Sequence, residues 1–408
     1  MDKRILLLHL SLIKKVSQQT LLRLAKVVMS DKQPERWYTM RTAHFQRLGA
    51  SETAAQLLVD GLADVALVQR ELALIQQHTV SWITLYDDEY PQALKAIHIP
   101  PLILYWQGAV LWHTQKACAI VGARKGDVYG KAAVEHLVPA LVQQQWVIVS
   151  GGAYGIDAYA HQATMTTGGK TIVVVGSGLL KPYPAGHKKL YQQILHAGGM
   201  IVSACALKEE ATPWSFPERN RIIAGLSQAC IVVQAAEKSG ALITAYHALQ
   251  EGRLVGAIPG PFYSTLSKGC HTLLQEGAKL VTCADDITQE FELVQRSCLQ
   301  EQLEATDSAD DIGTEKVNML VKEPLINISE HQQENFTEIL SCIDNDDHKT
   351  TKAEDITTTL LARCITPLSI TQLVEQTGLA EQMVSDILFD AQLDGKVQQD
   401  FAGMWSLK

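Results

Sequence analysis

The stretch from Cys118 to Cys283 constrains the fold more than any other, because it repeats one unit: a short apolar, β-branched run, a glycine-rich break, then a segment of helical period. The runs cover residues 118–122, 146–150, 171–176, 200–203, 229–234, 254–258 and 279–282. Apolar runs without alternation mean strands covered on both faces. Strands alternating with helices then predict an α/β fold with a doubly wound, mostly parallel sheet. In such a sheet every strand-to-helix loop emerges at the carboxyl ends of the strands. The unusual loops therefore gather on one edge: Gly122-Ala-Arg-Lys-Gly126, Ser150-Gly-Gly-Ala-Tyr-Gly155, residues 176–184, Phe216-Pro-Glu-Arg-Asn-Arg221, residues 234–240, and Pro259-Gly-Pro261 onward to Lys268-Gly269. Bare backbone N–H groups, helix N-termini, hydroxyls and arginines on one surface make a phosphate-binding edge.

The rest of the chain divides around this block. A length of 408 residues implies two or three domains. Residues 1–77 have helical spacing, as in Leu21, Leu24, Ala25 and Val28, and predict a small helical domain that packs, oligomerises or touches DNA backbone. The domain predicted for residues 78–290 opens with two strands, near Trp82–Tyr86 and Ile99–Trp106, which join the sheet or cap its edge. Residues 291–352 read as an acidic, flexible linker. Residues 353–408 carry three helical stretches and a hairpin-like end, a winged-helix pattern. Its third helix bears Glu381, Asp386 and Asp390 and no Lys or Arg, which favours protein contact over duplex reading.

The net charge of -9 does not exclude nucleic acid, because of where it lies. Residues 299–350 hold thirteen acids and three bases; removing these from totals of 44 and 35 leaves 31 and 32. The remainder is neutral and free to carry a local basic cleft. The eight cysteines are single and mostly set in apolar runs, which predicts reduced core thiols and neither disulfides nor a zinc site. No apolar run approaches a membrane span and the first residues lack a cleavage pattern, so a cytoplasmic protein without a membrane partner is expected.

Two glycine motifs lead elsewhere only on a superficial reading. Residues 126–132 are one residue short of a phosphate loop and lack its Ser/Thr, and Gly176-Ser-Gly178 lacks the third glycine of a dinucleotide fingerprint. No cofactor is expected. Asp157 and His161 stand one helical turn apart, as an acid/base pair would. With no matching nucleophile and no carboxylate cluster for a metal, the preferred reading is that Asp157 braces the Gly155 turn and His161 packs beneath it, with no catalytic or metal-ligating residues. In Trp214-Ser-Phe-Pro-Glu-Arg-Asn-Arg221, Phe216 offers a stacking face, while Arg219 and Arg221, two positions apart, point to different sides of a helix. One can face ligand while the other braces loops; the alternative is an internal ion-pair network with Glu218 and Glu237.

The ordered set Ile120-Val-Gly-Ala-Arg124, Val149–Asp157 with Ala160-His161, Tyr183-Pro184, Phe216–Arg221, Ser239-Gly-Ala-Leu-Ile-Thr244, Gly252-Arg253, Pro259-Gly260 and Gly269 resembles the DNA-processing protein A family, DprA/Smf. The resemblance implies an extended Rossmann domain flanked by a small SAM-like helical domain and a winged helix. It further implies a homodimer that binds single-stranded DNA and loads the RecA recombinase during natural transformation. Carried over by position, the pocket would use Arg124 and Arg219 or Arg221 for phosphates, Phe216 for a base, and Gly151, Gly152, Ser177, Gly178, Ser239 and Gly240 for backbone contacts. Asn220, Thr244 and Lys268 join the candidate set from the same loops. Tyr154 stands where the family carries a base, a change that weakens phosphate binding but lets the ring stack on a nucleobase. Gln234 replaces a glutamate, Ala204 a glutamate, and Cys270-His271 an asparagine. The rival reading is a nucleotide-binding or nucleoside-monophosphate-cleaving enzyme of related fold, with Glu218 or Glu237 as its carboxylate.

Overall fold

All seven runs become neighbouring strands of one sheet. The computed structural model describes residues 2–114 and 116–293 and, further on, two short strands. The strands are β1 (Ser81–Thr84), β2 (Ile103–Gly108), β3 (Ala117–Val121), β4 (Val147–Ser150), β5 (Thr171–Val174), β6 (Met200–Ser203), β7 (Ala229–Val232), β8 (Leu254–Ala257) and β9 (Lys279–Leu280). Their order across the sheet is β1-β2-β6-β5-β4-β3-β7-β8-β9. From β6 across to β9 every pair is parallel. The two early strands extend the β6 side as antiparallel neighbours. The chain leaves β3, builds outward to β6, then crosses back to pair β7 with the other side of β3. That reversal opens a crevice at the carboxyl ends of β3 and β7, where such sheets bind ligands.

The helices are α1 (Lys3–Leu12), α2 (Gln18–Ser30), α3 (Thr42–Arg47), α4 (Glu52–Ala63), α5 (Val65–Gln77), α6 (Gln92–Lys95), α7 (Val128–Gln143), α8 (Ile156–Thr166), α9 (Lys188–His196), α10 (Ser215–Leu226), α11 (Gly240–Gln250) and α12 (Lys268–Gln275). A helical run over residues 284–293 follows β9. On one face of the sheet, Val134, Leu137, Val138 and Leu141 of α7 and Ile156 and Ala160 of α8 bury against Ile120, Ile148 and Ile231. Ile287 and Phe291 of the last run complete this core, and Phe291 meets Trp146 edge to face at 5.1 Å. That packing carries the helix to residue 293, past residue 291 where the linker is expected to start. Helices α10 and α11 are absent from this cluster, pack on one another and cover the other face.

The first five helices form a bundle around Leu24, Val28, Leu58 and Leu62. Ser17 and Ser51 cap α2 and α4, each accepting the amide three residues on at 3.2 Å. The bundle is fastened to the sheet by Glu71 of α5, which is buried and accepts the Leu207 amide at 2.8 Å. Burial pushes the Glu71 carboxyl up, and that amide pulls it back down. Near the end of the chain, β10 (Val397–Gln399) and β11 (Trp405–Leu407) pair antiparallel. The linker beyond residue 293 and the helices expected in the winged-helix tail lie outside the described residues.

Candidate nucleic-acid interface

The carboxyl edge is built around Phe216, in the first turn of α10. The exposed Arg124, from the loop between β3 and α7, lays its guanidinium over that ring at 5.2 Å. Tyr183 meets the ring edge to face at 5.6 Å, and the Arg219 guanidinium lies 5.9 Å from its centre. A cation on an aromatic face is held in place while its N–H groups remain free to meet an anion.

The two arginines of α10 separate as their spacing requires. Arg219 is 7% exposed and donates to the carbonyls of Gly151 and Val174, the latter at 2.6 Å. It thereby clamps the carboxyl ends of β4 and β5 together. A side chain on Gly151 would overlap the guanidinium, so the close approach demands glycine. Asp157 takes the amides of Gly151 and Ala153, each at 3.2 Å, from the first turn of α8. Burial pushes its carboxyl up, and the Arg219 charge works against that. Arg221 turns to the other side, within electrostatic reach of Glu218, Glu251 and Tyr90, and burial pulls its pKa down. The brace is Arg219, and the cation presented at the edge is Arg124.

The remaining candidates divide in the same way. Gly152 has φ +65, a conformation costly for other residues, and its carbonyl accepts from His187 Nδ1 at 2.8 Å and the Tyr191 hydroxyl at 3.1 Å. Tyr154 is exposed against His187, ring centres 4.4 Å apart. Ser177 is buried; its hydroxyl accepts the Tyr183 amide at 3.2 Å and its carbonyl accepts from Ser203 Oγ at 2.7 Å. The Gly178 amide donates to the Glu209 backbone carbonyl at 2.8 Å. These groups are spent on the loop itself and shape the wall. Asn220 Nδ2 donates to the Gly240 carbonyl at 3.1 Å, tying α10 to the start of α11. Ser239 caps α11 and Thr244 is buried one turn further along. Gly240 and Lys268, at the first residues of α11 and α12, stay exposed.

The pair Asp157 and His161 does not converge on a substrate space. His161 is fully buried, with Nδ1 2.7 Å from Thr171 Oγ1. Burial, with His187 and Arg219 nearby, lowers its pKa to about 3, so it stays neutral. Among the described residues no group of three or more His, Cys, Asp or Glu could hold a metal ion. No described helix is long and apolar enough to cross a membrane.

Gln234 is held in place across the loops. Its Nε2 donates to Asp127 at 2.8 Å and its Oε1 accepts the Asp127 amide at 3.2 Å, across 107 residues. Asp127 is the N-cap of α7 and takes the Gly130 amide at 3.0 Å. That amide above all, then Gln234, lowers the Asp127 pKa. A glutamate at 234 would oppose two carboxylates; the amide supplies the donor that the capping aspartate needs.

The sequence reading singled out Tyr154 as a stacking ring and passed over most of its exposed counterparts. Among the described residues the exposed aromatic side chains are Tyr129, Tyr154, Tyr183, Trp214, Phe262 and Tyr263. Each lies in, or just past, a connection leaving the carboxyl end of a parallel strand. Exposure of several rings along one edge is the signal, and it needs the fold to become visible.

A nine-stranded sheet with a parallel core wound on both faces, and a cationic, aromatic rim at its switch point, define a Rossmann-like α/β protein. A family model described as DNA recombination-mediator protein A matches residues 81–292, and the chain belongs to that family. Over 209 residues it is 43% identical to DNA processing protein DprA of Streptococcus pneumoniae, spanning 51% of this chain and 73% of that protein. Against DNA processing protein DprA of Bacillus subtilis the identity is 39% over 223 residues, 54% of this chain and 75% of the other. The X-ray structure of the Streptococcus pneumoniae DNA processing protein A superposes with a TM-score of 0.62 at 32% identity, over 71% of this chain and 98% of that one.

Proposed function

We propose that this protein binds single-stranded DNA along the carboxyl edge of its sheet, without turning it over, and passes the strand to a RecA recombinase during DNA uptake. The observation that carries the reading is Arg124 stacked on Phe216 beside Tyr183: a fixed cation next to ring faces suits a polymer of alternating phosphates and bases. The family supports a DNA-processing role. Homodimerisation and transfer to RecA follow from the resemblance, and the cytoplasmic location expected from the sequence belongs to the same proposal. So does the domain division, with a helical unit over 1–77, a sheet unit from 78 whose last helix reaches 293, a linker from there to 352 and a winged helix over 353–408 that meets protein.

The test is a titration with fluorescent single-stranded and duplex oligonucleotides at two salt concentrations. The proposal expects tighter binding to the single strand, little sequence preference and a steep loss of affinity with salt. Equal or absent binding overturns it, and turnover of a nucleoside monophosphate would favour the enzymatic alternative.

A further inference from the structure

The loop from β8 to α12 projects two aromatic side chains into solvent, Phe262 at 86% and Tyr263 at 77% exposure, with ring centres 5.5 Å apart and planes at 83°. Leaving such surface in water is unfavourable, and most rings among the described residues are buried or half-buried. The loop is not loose at its base. The Tyr129 hydroxyl, from the first turn of α7, donates to the Pro259 carbonyl, and His271 Nε2 holds the Gly260 carbonyl at 3.0 Å. Ser264 N donates to Pro261 at 2.9 Å, Ser267 N to Ser264 at 3.1 Å, and Ala235 N to Leu266 at 2.7 Å. The rings therefore stand on a fastened scaffold.

Sheet order fixes where that scaffold lies. β8 is two places from β3, through β7. At a strand spacing of roughly 4.8 Å, its carboxyl end sits about 10 Å along the edge from the loop that carries Arg124. Tyr129 bridges the two connections, since it follows Arg124 in the chain and bonds Pro259. The exposed Lys268 follows the same loop at the start of α12.

We propose that Phe262 and Tyr263 form a second stacking platform, taking bases of the same single strand after it leaves the cluster of Arg124, Phe216 and Tyr183. The inference rests on the proposal that this edge binds single-stranded DNA, and it extends the contacted length toward β8. Ring faces accept any base, and a nearby cation faces the phosphates between them. Ser264 and Thr265 of the same loop and Lys268 just after it are polar, and the neighbouring connection adds the exposed Val128 and Tyr129.

The experiment uses the full chain, with Phe262→Leu and Tyr263→Leu singly and together, and oligonucleotides of about 4 and about 16 nucleotides. Leucine keeps apolar bulk without a ring face, and both positions are exposed. The double variant should bind the longer strand about tenfold to a hundredfold more weakly, keep the affinity of the parent for the short one, and leave the salt slope unchanged. Phe262→Tyr with Tyr263→Phe should retain full binding. If the parent binds neither strand, the edge itself is misread and this platform falls with it. If the parent binds and Arg124→Ala weakens it while the double leucine variant matches the parent at both lengths, the platform alone is refuted. A variant that changes oligomeric state at unchanged affinity for the longer strand would make the rings a contact between protomers, and overturn the proposal.

Discussion

The two halves of the carboxyl edge are built differently. On the β4–β5–β6 side, Arg219 clamps Gly151 and Val174, Ser177 and Ser203 interlock, and Gly152 is held by His187 and Tyr191. On the β7–β8 side, Gly240, Phe262, Tyr263 and Lys268 are exposed. Arg124 stands between them, at the strand where the order reverses. The closed half spends its polar groups on its own shape and presents rings, Tyr154, Tyr183 and Trp214, while the open half adds an exposed cation and two more rings. A glycine- and arginine-rich loop is therefore no guide by itself to which groups meet a ligand.

The sharpest way to break this contrast is Arg219→Ala. It strands two carbonyls and removes the charge facing buried Asp157, which should cost about 3 to 5 kcal/mol of stability in chemical denaturation. An unchanged midpoint would show that the closed half does not depend on its clamp. Acid probes the same half through His161. Its folded pKa of about 3 lies below the usual 6.5, so its contribution is complete above pH 6.5 and is lost as pH falls toward 3. Between pH 6.5 and about pH 4 the parent should lose roughly 3 kcal/mol more than His161→Asn, read from denaturation at stepped pH. Parallel profiles would contradict the neutral, buried imidazole.

The open half should respond in binding and hardly in stability. Arg124→Ala should melt as the parent does while weakening single-strand affinity by about 1 to 3 kcal/mol and lowering the salt slope by about 0.7. The smallest effect tests the joint between the halves. Gln234→Glu should destabilise by about 1 kcal/mol at neutral pH through repulsion with Asp127, and adding Asp127→Asn should restore most of it by reversing donor and acceptor. Failure of the double variant to recover would remove the pairing as the reason for the glutamine.

Much of the sheet is legible in the sequence, because the parallel strands are short apolar runs, most of them set off by glycine, and Trp82–Tyr86 and Ile99–Trp106 supply the two antiparallel strands beyond β6. The position of the edge follows from strand direction alone. What sequence spacing leaves open is the division of labour. Two positions of separation say that Arg219 and Arg221 diverge, and only packing says which one turns inward. The Gln234–Asp127 bridge joins residues from different strand connections, so no local pattern announces it. Phe262 and Tyr263 read as ordinary apolar residues until the fold leaves them uncovered.

Glu71 has a consequence for how the edge is kept in register. The Leu207 amide it captures lies in the connection that climbs from β6 toward α10, and α10 delivers both Phe216 and Arg219. A bond from the amino-terminal bundle thus tethers the route by which the clamp and the ring arrive. Shorten the chain to the sheet alone, and the approach to α10 is left to find its own path.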